Sequence, residues 1–151
     1  MSDFPPKMAV AADVLICAKE RGGGVYSVVL IKRRNEPFKG MWAIPGGFVE
    51  LDERVEDAAI REIEEEAGVK VKPKDLYLLS VYSEPARDPR GRTISVTFFS
   101  IVEKSKTMVK SGSDAKEADW FSLDNPPPLA FDHSEALKDL RERLCFSLRG
   151  G

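Results

Sequence analysis

Residues 47–69 read GFVELDERVEDAAIREIEEEAGV. The segment holds nine Asp or Glu against two Arg, and like charges at helical spacing repel one another unless a positive partner sits against them. Its two ends carry turn chemistry. Pro45-Gly46-Gly47 is a Cβ-poor turn where backbone can approach a ligand closely, and Gly68 supplies a C-terminal stop. The pattern between them predicts a helix over residues 54–67. Asp52 is its expected N-cap, and the first turn is acidic, where the helix dipole favours carboxylates.

Helical geometry sorts the acids. With Glu62 taken as zero and about 100° per residue, Glu66 lies about 40° to one side and Glu65 about 60° to the other. Glu64 and Asp57 point away, where water can solvate them. Ala59, Ile60, Ile63 and Ala67 form an apolar stripe for docking on a core, and Ala58 leaves the acidic face uncrowded. Three carboxylates within about one turn suit hard divalent cations such as Mg²⁺ and Mn²⁺, which prefer oxygen ligands. The competing reading is a solvated acidic face, the ordinary fate of a charge run.

The spacing favours the first reading. Gly47, Glu53, Arg61-Glu62-Ile63, Glu65-Glu66 and Gly68-Val69 occupy every fixed position of the pattern G, five of any, E, seven of any, R-E-U-x-E-E-x-G-U, with U a bulky aliphatic. In this the chain resembles the Nudix hydrolases, and flanking features in order along most of the chain extend the resemblance. The resemblance implies an α/β fold, an α/β/α sandwich around a mixed sheet with a loop-helix-loop catalytic motif. It also implies metal-dependent cleavage of a nucleoside diphosphate linked to another group.

The chain as a whole fits that expectation. Its 151 residues are expected to form one domain with a substantial core. A net charge of −2 offers no basic field for nucleic acid or a membrane surface. No secretory leader or spanning segment is expected, because the apolar runs are short. Cys17 and Cys145 lack CxxC or Cys/His partners, so two reduced, mostly buried thiols and a cytoplasmic location are expected.

Strands are predicted over residues 8–19 and 25–34, joined by the turn Arg21-Gly22-Gly23-Gly24, then over 42–49 (broken at Pro45-Gly46-Gly47), 76–83, 93–103 and 118–123. Trp42 reads as a core and loop anchor. Asp132-His133-Ser134-Glu135 reads as a capping box. It opens a helix to about residue 146 with Ala136, Leu137, Leu140 and Leu144 inward.

Carried onto matching positions, the resemblance makes Glu62, Glu65 and Glu66 metal ligands, with the Gly46 carbonyl a further ligand and Mg²⁺ (or Mn²⁺) the cofactor. It makes Glu53 and Arg61 a structural ion pair. A general base in relatives that use one comes from outside the box, which points to Asp114 or Glu117, with Glu103 a third candidate. Arg33 or Arg34 is expected on phosphate; Arg87, Arg90 and Arg92 either grip phosphates, which guanidinium forks fit, or solvate a hairpin tip. His133, the sole histidine, is expected to touch substrate or a subunit partner rather than to catalyse.

Substrate is narrowed outside the helix. Pro85, sixteen residues past Val69, and the runs YSEPARDPRGRTISV and LAFDHSEAL look like the ADP-ribose pyrophosphatase subgroup. The implied reaction is ADP-ribose plus water giving AMP and ribose 5-phosphate, with Phe38, Tyr82 or Phe131 stacking the adenine and a homodimer as the expected assembly. A house-cleaning nucleoside triphosphatase shares the same box. A sensor of ADP-ribose that controls transcription shares the DPRGR-type stretch and needs a DNA-binding extension. With the chain ending at Gly151 and no glutamate of the box missing, the enzyme is the expectation.

Overall fold

The computed structural model describes residues 6–21, 23–110 and 115–150. Strands β1 (Ala9–Lys19), β2 (Tyr26–Arg33), β3 (Trp42–Ala43), β4 (Gly46–Phe48), β5 (Tyr77–Tyr82), β6 (Thr93–Ile101) and β7 (Ala115–Ser122) form one mixed sheet, with helices α1 (Val55–Ala67) and α2 (His133–Gly150). The expected three-layer arrangement follows from alternation along β1. Ala12, Val14 and Ile16 point to one face and pack with Ala59, Ile63 and Ala67 of α1. Leu15 and Cys17 point to the other and pack with Ala136, Leu137, Leu140 and Leu144 of α2. A central strand buried on both faces has to be apolar almost throughout, and β1 is, apart from the exposed Lys19 at its end and Asp13, which is 6% exposed.

The connectivity opens a gap where chemistry can sit. β1 pairs with β2 only over Cys17, Ala18 and Lys19, next to their hairpin. At its other end Ala11, Ala12 and Asp13 pair with Phe48, Gly47 and Gly46 of β4. Thus β1 and β2 diverge, and the glycine turn fills the wedge between them. On its far side β1 runs parallel to β6, from Ala9 opposite Thr93 to Cys17 opposite Ile101. β2 pairs with β7, and the register shifts between Lys32 and Arg33. Bulges of this kind re-aim side chains, and the side chain after this one, Arg33, lines the wedge.

Two local expectations are corrected. Helix α1 begins after Arg54, which is the N-cap and has no side-chain capping bond, so Asp52 does not cap it. The Glu53 carboxylate instead accepts the Glu50 N–H at 2.9 Å, which closes the preceding turn. Ala58 lies in the core beside Ala59 rather than on an open acidic face. The C-terminal stop is as expected: Gly68 is left-handed at φ 70°, and its N–H and that of Val69 return to Glu64 and Ile63 carbonyls. Helix α2 runs on to Gly150, and it carries Cys145 exposed rather than buried, whereas Cys17 is buried as expected. Among the described residues no helix is long and apolar enough to cross a membrane.

Candidate active site

Helix α1 lays Glu62 and Glu66, one turn apart, against the glycine turn. Both are buried, at 8% and 5% exposure. The fit is tight enough to require glycine: a Cβ on Gly47 would lie 2.6 Å from the Glu62 carboxyl carbon, and one on Gly46 would lie 2.5 Å from the Ala12 carbonyl oxygen. Burial first, then a hydrogen bond and repulsion from Glu62, then the charge of Asp13, push the Glu66 carboxyl up to about 9. A backbone hydrogen bond from Gly46 opposes this. Two buried carboxyl side chains one turn apart are oxygen donors of the kind that a hard divalent cation takes up.

Arg61 braces the motif. Its guanidinium donates to Glu53 at 2.7 and 3.2 Å, to Glu62 at 2.6 Å and to the Phe48 carbonyl at 3.3 Å. One side chain thereby ties the loop, the glycine turn and the helix together. The hydrogen bonds to Glu53 and Glu62 hold its proton more firmly than usual. Glu65 also turns to Arg61, at a weak 3.4 Å, and is nearly half exposed. Among the described residues no group of three acidic, His or Cys side chains is already gathered as a cation cage.

The wedge is a cleft of two lobes that share Arg33, Ile44, Gly46, Gly47 and Phe48. The first lobe adds Glu62, Glu66, Arg34 and Asn35, so carboxylates face arginines across it. The second adds Asp13, Arg87, Asp88, Arg90, Phe131 and His133. Asp13 sits at the junction, where burial outweighs Arg87 and a Ser95 hydrogen bond and lifts its carboxyl to about 7.

Helix α2 holds the second lobe together through its first turn. Arg87, with a side chain 4% exposed, donates to both Asp132 oxygens at 2.7 and 3.0 Å and to Ser95 at 2.8 Å. The Asp132 carboxylate is therefore engaged by Arg87. His133 Nδ1 accepts the Ile44 N–H at 3.0 Å, fixing the strand that enters the glycine turn. Burial holds this imidazole neutral, with its pKa pushed down to about 4.

Comparison with known proteins identifies the family. The NUDIX domain model matches residues 7–140. The chain belongs to the Nudix family. Over 112 residues it is 54% identical to an ADP-ribose pyrophosphatase of Methanocaldococcus jannaschii, covering 74% of this chain and 64% of that protein. It is 33% identical over 150 residues to an ADPR responsive transcriptional repressor of Acinetobacter baylyi, covering 95% of this chain and 56% of the repressor. The chain thus spans less than two thirds of either relative's length. Among solved structures, the NUDIX domain of Shewanella oneidensis NrtR complexed with ADP ribose superposes with a TM-score of 0.79 at 26% identity, over 92% of this chain and 90% of that one.

The Nudix box contributes Gly47, Phe48, Glu62 and Glu66 to the first lobe, and the residues expected outside the box distribute unevenly. Arg33, Arg34, Arg87, Arg90 and Phe131 all line the cleft. Glu117 lies on β7 opposite Lys32, 4.0 Å from its ammonium and 55% exposed, outside the cleft lining. Glu103 pairs with Lys106 at a different surface, and Asp114 lies outside the described residues. Arg92 donates to the Ser83 carbonyl. Of the aromatics, Phe38 packs behind Phe131 at 4.8 Å, Tyr82 bonds Asp139 of α2, and Trp42 packs on Phe121 as an anchor. Sequence reasoning missed Asp13, Phe48 and the His133–Ile44 bond. A lone Asp in an apolar strand was the available signal for the first; the third joins residues 89 apart and has no local signal.

Proposed function

We propose that this chain hydrolyses ADP-ribose with Mg²⁺, or Mn²⁺ in its place, giving AMP and ribose 5-phosphate. The observation that carries the reading is the buried Glu62–Glu66 pair seated on Gly46-Gly47, with Arg33 and Arg34 in the same lobe. The 54% identity to an ADP-ribose pyrophosphatase supports this choice of substrate.

Glu62, Glu66 and the Gly46 carbonyl would hold the cation, and Glu65 would join them by giving up its weak contact with Arg61. Bound there, a divalent ion neutralises diphosphate oxygens and acidifies water. Arg33 and Arg34 bind the diphosphate and orient it for in-line attack. Water adds to one phosphorus, the bridging P–O bond breaks, and the departing phosphate keeps the bond's electrons. The water's proton is expected on a carboxylate outside the box; Glu117 stands outside the cleft lining beside Lys32, so Asp114 is the proposed acceptor and Asp114→Asn tests it.

A small nucleotide is the proposed ligand, in a cytoplasmic protein that acts as a homodimer without nucleic acid. A second reading, an ADP-ribose-binding regulatory domain, draws on the resemblance to the Acinetobacter repressor. One panel separates these readings: ADP-ribose, NADH, oxidised dGTP and sugar nucleotides with Mg²⁺, alongside DNA binding. Turnover of ADP-ribose above the triphosphate supports the enzyme. Better turnover of the triphosphate supports a house-cleaning enzyme, and DNA binding without turnover supports the regulator.

A further inference from the structure

The second lobe contains a stack that hydrolysis of a diphosphate does not require. The Arg90 guanidinium lies over the Phe48 ring at 5.0 Å and over the Phe131 ring at 5.5 Å. Phe48 is 46% exposed, an unusual position for a phenyl ring that borders two buried carboxylates. Phe131 is held at φ 53°, a left-handed conformation that a bulky residue rarely adopts and that concentrates at ligand clamps. Phe38 packs behind Phe131 at 4.8 Å and fixes it there.

The hydrogen bonds of Arg90 say what this stack is for. Its Nε and Nη2 donate to the two oxygens of Asp88 at 3.1 and 2.9 Å, and its backbone N–H donates to the same carboxylate at 2.9 Å. Asp88 is itself buried. The Nε/Nη2 edge of the guanidinium is thus committed to Asp88, which fixes its plane, and its flat faces meet rings. Held this way, Arg90 presents a fixed flat plate to the two rings.

We propose that Phe48, Arg90 and Phe131 form the nucleobase subsite, where a purine is held by stacking on Phe48 beside the Arg90 plate. The inference rests on the nucleotide reading above and supplies the residues that hold the base. Aromatic stacking is tolerant of base identity because every base has a π-face.

Calorimetric titration with AMP and with ribose 5-phosphate in Mg²⁺ tests the subsite. Wild type binds AMP more tightly than ribose 5-phosphate. Phe48→Leu, at an exposed position that spares folding, weakens AMP about tenfold and leaves ribose 5-phosphate unchanged. Phe48→Trp, which restores a stacking face, retains AMP affinity. Equal loss for both ligands, no loss of AMP in Phe48→Leu, or a loss in Phe48→Trp matching that in Phe48→Leu overturns the proposal, as does a wild type with no preference for AMP. If AMP binding responds as expected while ADP-ribose is not hydrolysed, the subsite stands and the substrate reading falls.

Discussion

Two adjacent glycines should separate stability from activity. A Cβ on Gly47 would meet the Glu62 carboxyl carbon and one of its oxygens at 2.6 Å, the far end of a flexible side chain. In Gly47→Ala that carboxylate has to retreat by about 1 Å, a displacement that can cost about 100-fold when it misplaces a reacting group. The fold loses little, because only a side-chain end moves. A Cβ on Gly46 instead meets the Ala12 carbonyl oxygen at 2.5 Å and the Asp13 Cα at 2.8 Å. That is the backbone of the strand opposite, in a ladder pairing Asp13 with Gly46. Strand β1 is packed on both faces and cannot give way, so Gly46→Ala is expected to cost about 3 kcal/mol, lowering Tm by about 6–12 °C. Thermal melts and ADP-ribose turnover on both variants measure the two effects. A Gly46→Ala protein that melts like wild type, or a Gly47→Ala protein with full activity, would falsify the packing of the acid helix on this turn.

Other perturbations follow from the same contacts. Arg61→Ala strips partners from Glu53 and Glu62 together and is expected to cost about 2 kcal/mol, read from urea midpoints; an unchanged midpoint would mean that the brace is ornamental. Arg87→Ala leaves the partly exposed Asp132 without its bidentate partner and should cost about 2 kcal/mol, whereas an unchanged stability contradicts the bidentate pair. His133 makes stability pH-dependent. Its pKa is pushed by burial from 6.5 to about 4, so its contribution is complete above pH 6.5. As pH falls below that value the unfolded chain takes up a proton that the folded chain does not. Stability drops by about 1.4 kcal/mol per pH unit until about pH 4, about 3 kcal/mol in all. Urea melts across this range should show a shallower fall in His133→Gln, and parallel curves for the two proteins would rule out a buried neutral imidazole.

What was legible in the sequence was mostly local. The helix of the acidic segment, its glycine stop, the hairpin from β1 to β2 and the inward leucines of α2 all follow from periodicity and turn residues within a few positions of one another. The helical wheel placed Glu62 and Glu66 together, and both are buried on the turn. It also grouped Glu65 with them, but a wheel knows nothing of Arg61, which draws Glu65 outward. The parallel pairing of β1 with β6 brings Asp13 opposite Thr97 and beside Ser95, a meeting across more than 80 residues that no local pattern announces. Arg87 illustrates the same limit. Its loop position suggested either phosphate or water, and the partner that claims it, Asp132, is 45 residues away.

The central claim is that the Glu62–Glu66 pair serves a cation in cleaving a diphosphate. Incubating wild type and Glu66→Gln with ADP-ribose and Mg²⁺ in ¹⁸O-water, with products read by mass spectrometry, tests it most directly. The account predicts AMP and ribose 5-phosphate from wild type, one ¹⁸O on one of the two phosphates, no turnover once the metal is chelated, and a loss of several orders of magnitude in a folded Glu66→Gln. Wild-type turnover in that variant, or turnover that persists without metal, would contradict it.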